Sequence, residues 1–266
     1  MSIITQKYGA LEILTAENIT APHCFTTRHG GVSTGVMASM NLAIKLDETV
    51  ENVTRNFEIL GQALGFGIQD LVLTRQIHSD IVRIVNREDC NGCLHRNYPE
   101  CDALVTNTPG VALTVFTADC TPILFHDSVT GAVGAAHAGW RGTASAIGAK
   151  TVQAMCREFG CKPENIRAAI GPNIGFCHFE TDKDVPDAMV AAFGDEVLPF
   201  IRQSGAKYYV NLKEINALIL RRTGVRHIEI SEDCTMCQPE RFWSHRITGG
   251  NRGSQGAIIV CKEGRT

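Results

Sequence analysis

The sequence has no apolar run of ~18 residues, which excludes an ordinary transmembrane helix. Its first residues, MSIITQKYGALEIL, lack a basic-then-apolar leader, so a cytoplasmic protein is the default expectation. Charge of one sign is missing as well. The net charge is −3 with both signs interspersed, so no electrostatic case for a nucleic-acid or membrane partner arises. There is no internal repeat, low-complexity tract or Pro/Ser-rich linker to mark a domain boundary. Walker loop, G-x-G-x-x-G and H-E-x-x-H are all absent. P-loop phosphate binding, a dinucleotide fold and a zincin therefore lose their usual support.

What is present is length, apolar residues and sulfur. The 266 residues, 44% hydrophobic, suffice for one large domain or two closely packed halves. Eleven cysteines without a leader favour reduced core thiols plus metal ligands over a disulfide scaffold.

Short apolar runs alternate with amphipathic stretches, which predicts a mixed α and β fold. Helical spacing predicts helices over 50–66, 143–159, 184–194 and 211–223. Val/Ile-rich runs predict strands at 71–73, 81–85, 103–106, 111–117, 121–126, 131–137, 166–170, 226–230 and 257–261. The polar stretch Asn86 to Pro99 reads as a surface excursion.

The most informative segment is TVFTADCTPILFHDSVTGAVGAAHAGWRG, from Thr114 to Gly142. Two apolar runs flank Asp127-Ser128-Val129-Thr130, a turn-forming tetrapeptide. A four-residue hairpin loop there would pair His126 with Gly131, and further along the ladder Cys120 with His137. Directly opposed residues lie ~4.5–5.5 Å apart with side chains on one face. A thiolate and an imidazole so placed can share one metal ion. The competing reading is a buried cysteine beside a hydrogen-bonded histidine, since cysteine is often simply buried. Asp119 and the Trp140-Arg141 pair crowd more polar groups here than a passive core needs. Gly139 and Gly142 permit close backbone approach by a ligand, and Arg141 could grip a phosphate or remain a solvated arginine. A third metal ligand must come from elsewhere. By spacing, His78 competes with His23, His29, His126 and His178. Two imidazoles and one thiolate would leave the fourth position open, which marks a catalytic site.

Two other clusters carry less. His227-x-Glu229 before Cys234-Thr235-Met236-Cys237 superficially matches the zinc-deaminase signature, but no proline precedes Cys234 and the spacing is short. It reads as coincidence. Cys90, Cys93, His95 and Cys101 could form a small structural zinc site, but they lie on the polar excursion without a second C-x2-C.

Several blocks together resemble a known family. They are Thr27-Arg28-His29-Gly30-Gly31-Val32-Ser33, Met40-Asn41-Leu42, Gln76-Ile77-His78-Ser79 and Cys101-Asp102-Ala103. Ala118-Asp119-Cys120-Thr121-Pro122 and Ala136-His137-Ala138-Gly139-Trp140-Arg141-Gly142 follow, then Ile170-Gly171-Pro172-Asn173-Ile174-Gly175, Cys177 to Glu180 and Phe242-Trp243-Ser244-His245-Arg246. The chain is similar, from about Phe25 to Ile259, to the laccase-domain or multicopper polyphenol oxidase family, also called the peptidoglycan-editing-factor family. The resemblance implies an α+β fold: one domain over 1–266 with two central mixed sheets between helical layers. It implies zinc held by His78, Cys120 and His137, with copper as the alternative that the older family name suggests. It implies a purine nucleoside phosphorylase that also deaminates adenosine and cleaves methylthioadenosine, with purine nucleoside and phosphate as partners. The rival readings are a copper-dependent phenol oxidase and a role in cell-wall quality control. The absence of any H-x-H pair weakens the oxidase. Arg28, Arg141 and Asp119 become the catalytic candidates, with Asp119 as orienter or proton carrier. His29, Asn41 and Arg141 become candidate substrate contacts. The late block FWSHRITGGNRG departs from the family's F-F-S-Y-R-R-D-G and Gly-Arg pattern, with His245 where Tyr is usual and Arg252 near the expected Gly-Arg.

Overall fold

A computed structural model describes residues 3–44, 48–92 and 99–262. One six-stranded sheet runs in the order β1 (Ile3–Tyr8), β2 (Leu11–Ala16), β3 (His23–Thr26), β15 (Gln255–Val260), β7 (Ala112–Thr117), β4 (Leu71–Leu73). The second runs β14 (His227–Ile230), β10 (Ile166–Ile170), β8 (Thr121–Asp127), β9 (Val133–Ala138), β6 (Ala103–Thr106), β5 (Val82–Ile84). Both mix parallel and antiparallel pairs. A small third sheet runs β11 (Glu180–Thr181), β13 (Lys207–Val210), β12 (Ile201–Ser204).

Burial explains the layering. Strands β8 and β9 are buried at every position, so both faces of their sheet are covered. One face meets the first sheet through Phe25, Leu113, Val115, Leu124, Val133 and Ile259. The other meets helices α3 (Ile147–Phe159) and α4 (Leu212–Arg222) through Phe125, Val152, Met155 and Leu220. On the far side of the first sheet lies α1 (Val50–Leu64), which buries Val53, Phe57 and Leu60. Burial of each such side chain stabilises by about 1.5–3 kcal/mol. The mixed α+β architecture with two central sheets between helices is therefore present. Among the described residues, no helix is long and apolar enough to cross a membrane.

All nine expected strands and all four expected helices occur, within a few residues at their ends. Helix α1 stops at Leu64 because Gly65 takes a left-handed φ of 78° and its N–H returns to Gly61 O. The 143–159 helix is really two: α2 (Trp140–Ala144), then α3, separated by Ala146 at φ 57°. The hairpin register needs correction. Pro122, not Cys120, lies opposite His137, and His126 pairs with Val133 rather than Gly131. Asp127 is the cause. Its carboxylate accepts from Val129 N and Thr130 N, Gly131 takes φ 78°, and the loop lengthens by two residues. A two-residue slip keeps every side chain on its face, so Cys120 stays beside His137 diagonally.

Candidate metal centre

His137 sits at the end of β9, buried, and His78 sits in the turn after β4. Cys120 lies just before β8. The turns that present His78 and Cys120 are strained: His78 has φ 60° and Asp119 has φ 88°. Positive φ in residues other than glycine is uncommon and clusters at functional sites. Three ligand atoms, one from each side chain, fall within 4.8 Å of one another. Cys120 Sγ is 3.8 Å from His78 Nε2, and the two imidazoles meet edge-on with centroids 4.9 Å apart. A tetrahedral ion with bonds of ~2.0–2.3 Å needs sulfur and nitrogen about 3.5 Å apart, so this donor set fits one divalent ion.

Asp102 organises the set from behind. It is fully buried, and its Oδ1 accepts from His137 Nδ1 at 2.8 Å and from His78 N at 3.1 Å. Oδ2 accepts from Ile77 N, Ser79 N and Ser79 Oγ at 3.2, 2.8 and 2.7 Å. One carboxylate thus fixes the tautomer of one ligand and the backbone of another. Its proton on Nδ1 leaves the His137 Nε2 lone pair for the cation. Burial pushes Asp102 upward, but hydrogen bonds from His137 and Ser79 outweigh it and hold the carboxyl at about 2. Burial likewise opposes a thiolate at Cys120. The charge and hydrogen bond of His137, with His78, override it and bring the thiol down to about 6. Burial disfavours an imidazolium at His137, yet Cys120 and Asp102 raise it to about 9. Gly139 completes the centre. A Cβ there would lie 2.9 Å from His78 Cδ2 and 3.2 Å from Cys120 Sγ, so glycine is required by close approach.

The three candidate ligands open into a cavity of about 350 Å³, within the usual range for small-molecule sites. Ala43, Phe116 and Ala118 give it an apolar wall, and Gln76, His245, Arg252 and Ser254 a polar one. Gln76 is held rigidly, donating to Phe116 O and accepting from Phe116 N. Burial disfavours the charge on Arg252 and lowers its pKa, and the nearby Asp119 and Cys120 charges counter this only in part.

The other candidates from sequence are placed elsewhere. Asp119 is buried with both oxygens engaged, accepting from Thr235 Oγ1, Ser244 Oγ and Arg246 N. It anchors the segment that carries His245 to the cavity wall. Arg28 stacks 3.8 Å over Trp243, donates to Ala38 O and Pro239 O, and lines a neighbouring cavity that shares Arg252 with the first. Arg141 is exposed and stacks 4.2 Å over Trp140. His29 is exposed. Asn41 is fully buried, and its amide serves Ala43, Glu48 and Ser254. None of these five lines the metal cavity. The rival histidines separate too. His23 is tied to Ala16 N and Ala21 O, and His126 is buried in β8. Of the excursion cluster, Cys93 and His95 lie outside the described residues, while Cys101 is buried and Cys90 packs on the core between the sheets. Sequence reasoning overlooked Asp102, His245 and Arg252 as site residues, although all three stood in or beside the motif blocks.

Comparison with known proteins agrees with this architecture. The family model described as multi-copper polyphenol oxidoreductase laccase matches residues 22–262. A protein from Deinococcus radiodurans named purine nucleoside phosphorylase is 38% identical over 259 residues, covering 96% of each chain. A protein named adenosine deaminase RL5, from an unidentified prokaryote, is 32% identical over 247 residues, covering 90% of this chain and 93% of its own. The crystal structure of YlmD from Geobacillus stearothermophilus superposes with a TM-score of 0.91 at 35% identity, over 98% of this chain and 100% of that one. The chain therefore belongs to the multi-copper polyphenol oxidoreductase laccase family.

Proposed function

We propose that this chain is a zinc-dependent purine nucleoside phosphorylase of the cytoplasm, which also deaminates adenosine and cleaves methylthioadenosine. The observation that carries the reading is the open three-ligand centre at the floor of a nucleoside-sized cavity, with Arg252 and His245 in its wall. The names of the relatives support the nucleoside class. One thiolate and two imidazoles suit zinc and leave a coordination position free. Bound there, zinc supplies Lewis-acid polarisation of a substrate heteroatom.

The chain's own residues supply the rest. Phe116 and the two alanines receive the base, and Ser254 and Gln76 border its polar edge. Arg252 is the cation that receives phosphate, in place of the Arg28 and Arg141 roles expected from sequence. Its guanidinium is steadied by Gly253 O and Ser254 Oγ. Phosphate attacks the ribose C1′ as the base departs, so charge builds on the purine and positive charge on the sugar. His245, 3.4 Å from Arg252 Nε through its Nδ1, is positioned to move the proton that the departing base requires.

Incubation of the purified protein with adenosine and phosphate, followed by separation of adenine, inosine and ribose-1-phosphate, tests this reading. Adenine with ribose-1-phosphate is expected. No product from protein with a filled metal site would refute it. Metal analysis of protein prepared without added copper distinguishes zinc from copper.

A further inference from the structure

We propose that Cys177, His178, Cys234 and Cys237 form a second metal site, a closed zinc clip that braces the backbone behind Cys120. Their four ligand atoms lie within 4.8 Å of one another. They arrive from two loops, one after β10 and one after β14, that run side by side with Asn173 bridged to Cys234. Thr235 N donates to Asn173 O at 2.9 Å. The second loop brings two ligands by C-x2-C spacing, common in structural zinc sites.

The distances match a tetrahedral ion. His178 Nδ1 stands 3.2, 3.3 and 3.7 Å from the sulfurs of Cys177, Cys237 and Cys234, and Cys177 Sγ is 3.6 Å from Cys237 Sγ. Zinc with sulfur at ~2.3 Å and nitrogen at ~2.0 Å requires edges of about 3.8 and 3.5 Å. Gly175 N donates to Cys234 Sγ at 3.1 Å, the kind of backbone bond that supports a ligating thiolate. A disulfide is the rival. It needs sulfurs at ~2.05 Å, and pairing Cys177 with Cys237 would leave Cys234 and His178 with no common partner.

Four protein ligands close the coordination shell, so this ion would be structural rather than catalytic. Its value lies in what it braces. From the first loop, Ile174 N donates to Asp119 O at 2.9 Å. From the second, Thr235 Oγ1 donates to Asp119 Oδ1 at 2.6 Å. Asp119 directly precedes Cys120, so clamping these loops fixes the strained turn that presents the thiolate. The C-x2-C pair that resembled a deaminase signature thus gains a different partner. Glu229 instead accepts from Glu17 N, and it takes no part in the cluster.

The full chain, purified with zinc and a thiol reductant and then dialysed against metal-free buffer, provides the test. Elemental analysis should count two zinc ions per chain, and one in the C177S/C237S variant. X-ray absorption on the wild type needs no variant to fold. It should give two sulfurs per zinc on average, because Cys120 supplies one ion and three cysteines the other. The C120A variant should keep one zinc with three sulfurs, which separates failure of this site from failure of the open one. One zinc per chain with one sulfur in the wild type would overturn the proposal. So would an intact mass two hydrogens short in the reductant-treated protein that C237S restores.

Discussion

Replacing Asp102 by Asn keeps the shape of the side chain and removes its charge and half of its accepting capacity. The consequence follows from which oxygen becomes NH2. At the Oδ2 position an amide donor would face three donors: Ile77 N, Ser79 N and Ser79 Oγ. At the Oδ1 position it faces only His78 N and His137 Nδ1. The second arrangement costs less, but His137 must then accept at Nδ1 and carry its proton on Nε2, the atom needed by the cation. The backbone N–H of His78 also loses its partner. Loss of such an orienting partner lowers metal affinity about 10–100-fold, and the tautomer switch places D102N at the upper end, near 2.7 kcal/mol. Metal-free D102N should also lose about 3–5 kcal/mol of stability, the usual cost of breaking a buried charged pair. Competition with a chromophoric chelator at pH 7.5 measures the first effect, and urea denaturation of the metal-free proteins the second. Affinity within twofold of wild type would refute the role assigned to Asp102.

G139A should weaken metal binding by about 1–3 kcal/mol, because the new methyl group must displace His78 and Cys120; unchanged affinity in a chelator titration would contradict this. R252K keeps the charge and loses the planar fork, so kcat/KM at limiting phosphate should fall about 10–100-fold with zinc content unchanged. A purely structural role would lower zinc content or stability instead. His126 is 6% exposed, and burial, its largest cause, lowers its pKa to about 4, so the folded protein keeps it neutral. Below pH ~6.5 the unfolded chain takes up a proton that the folded chain refuses until about pH 4. Stability is therefore lost as pH falls through that window, by about 2–3 kcal/mol from this residue. Unfolding free energies from urea titrations at pH 7 and pH 4.5 should fall by about 2–3 kcal/mol more in wild type than in H126Q, and equal falls would show that His126 is not the titrating group.

The buried strands were legible in the sequence because they are short Val/Ile-rich runs between turn residues, as at Ala103–Thr106 and Ile166–Ile170. Strands Ile201–Ser204 and Lys207–Val210 were not, because each is only four residues long with no apolar alternation, and the first is largely exposed and polar. Strands Ile3–Tyr8 and Leu11–Ala16 were missed for a related reason: their hairpin turns on Gly9-Ala10, which lacks a strong turn signature. The link between Cys120 and His137 was readable from the hairpin alone, since even a two-residue error in register preserves the shared face. His78 was not, because its approach depends on a left-handed turn pinned by a carboxylate 24 residues away in sequence. Arg28 and Asn41 stood in prominent motif blocks, yet they brace Trp243 and the Ala43–Ser254 junction. A block of special sequence marks a demanding local structure as readily as a substrate contact. Cys177-His178 and Cys234-x2-Cys237 escaped notice as one group because only the parallel pairing of β10 with β14 brings their loops together.

Anomalous diffraction from a crystal grown with zinc, recorded on either side of the zinc absorption edge, locates the ion itself. A peak is expected bonded to His78 Nε2, Cys120 Sγ and His137 Nε2, with its remaining position facing the cavity lined by Arg252 and His245. No peak among those three atoms, or an ion there closed off by a fourth protein ligand, would contradict that expectation.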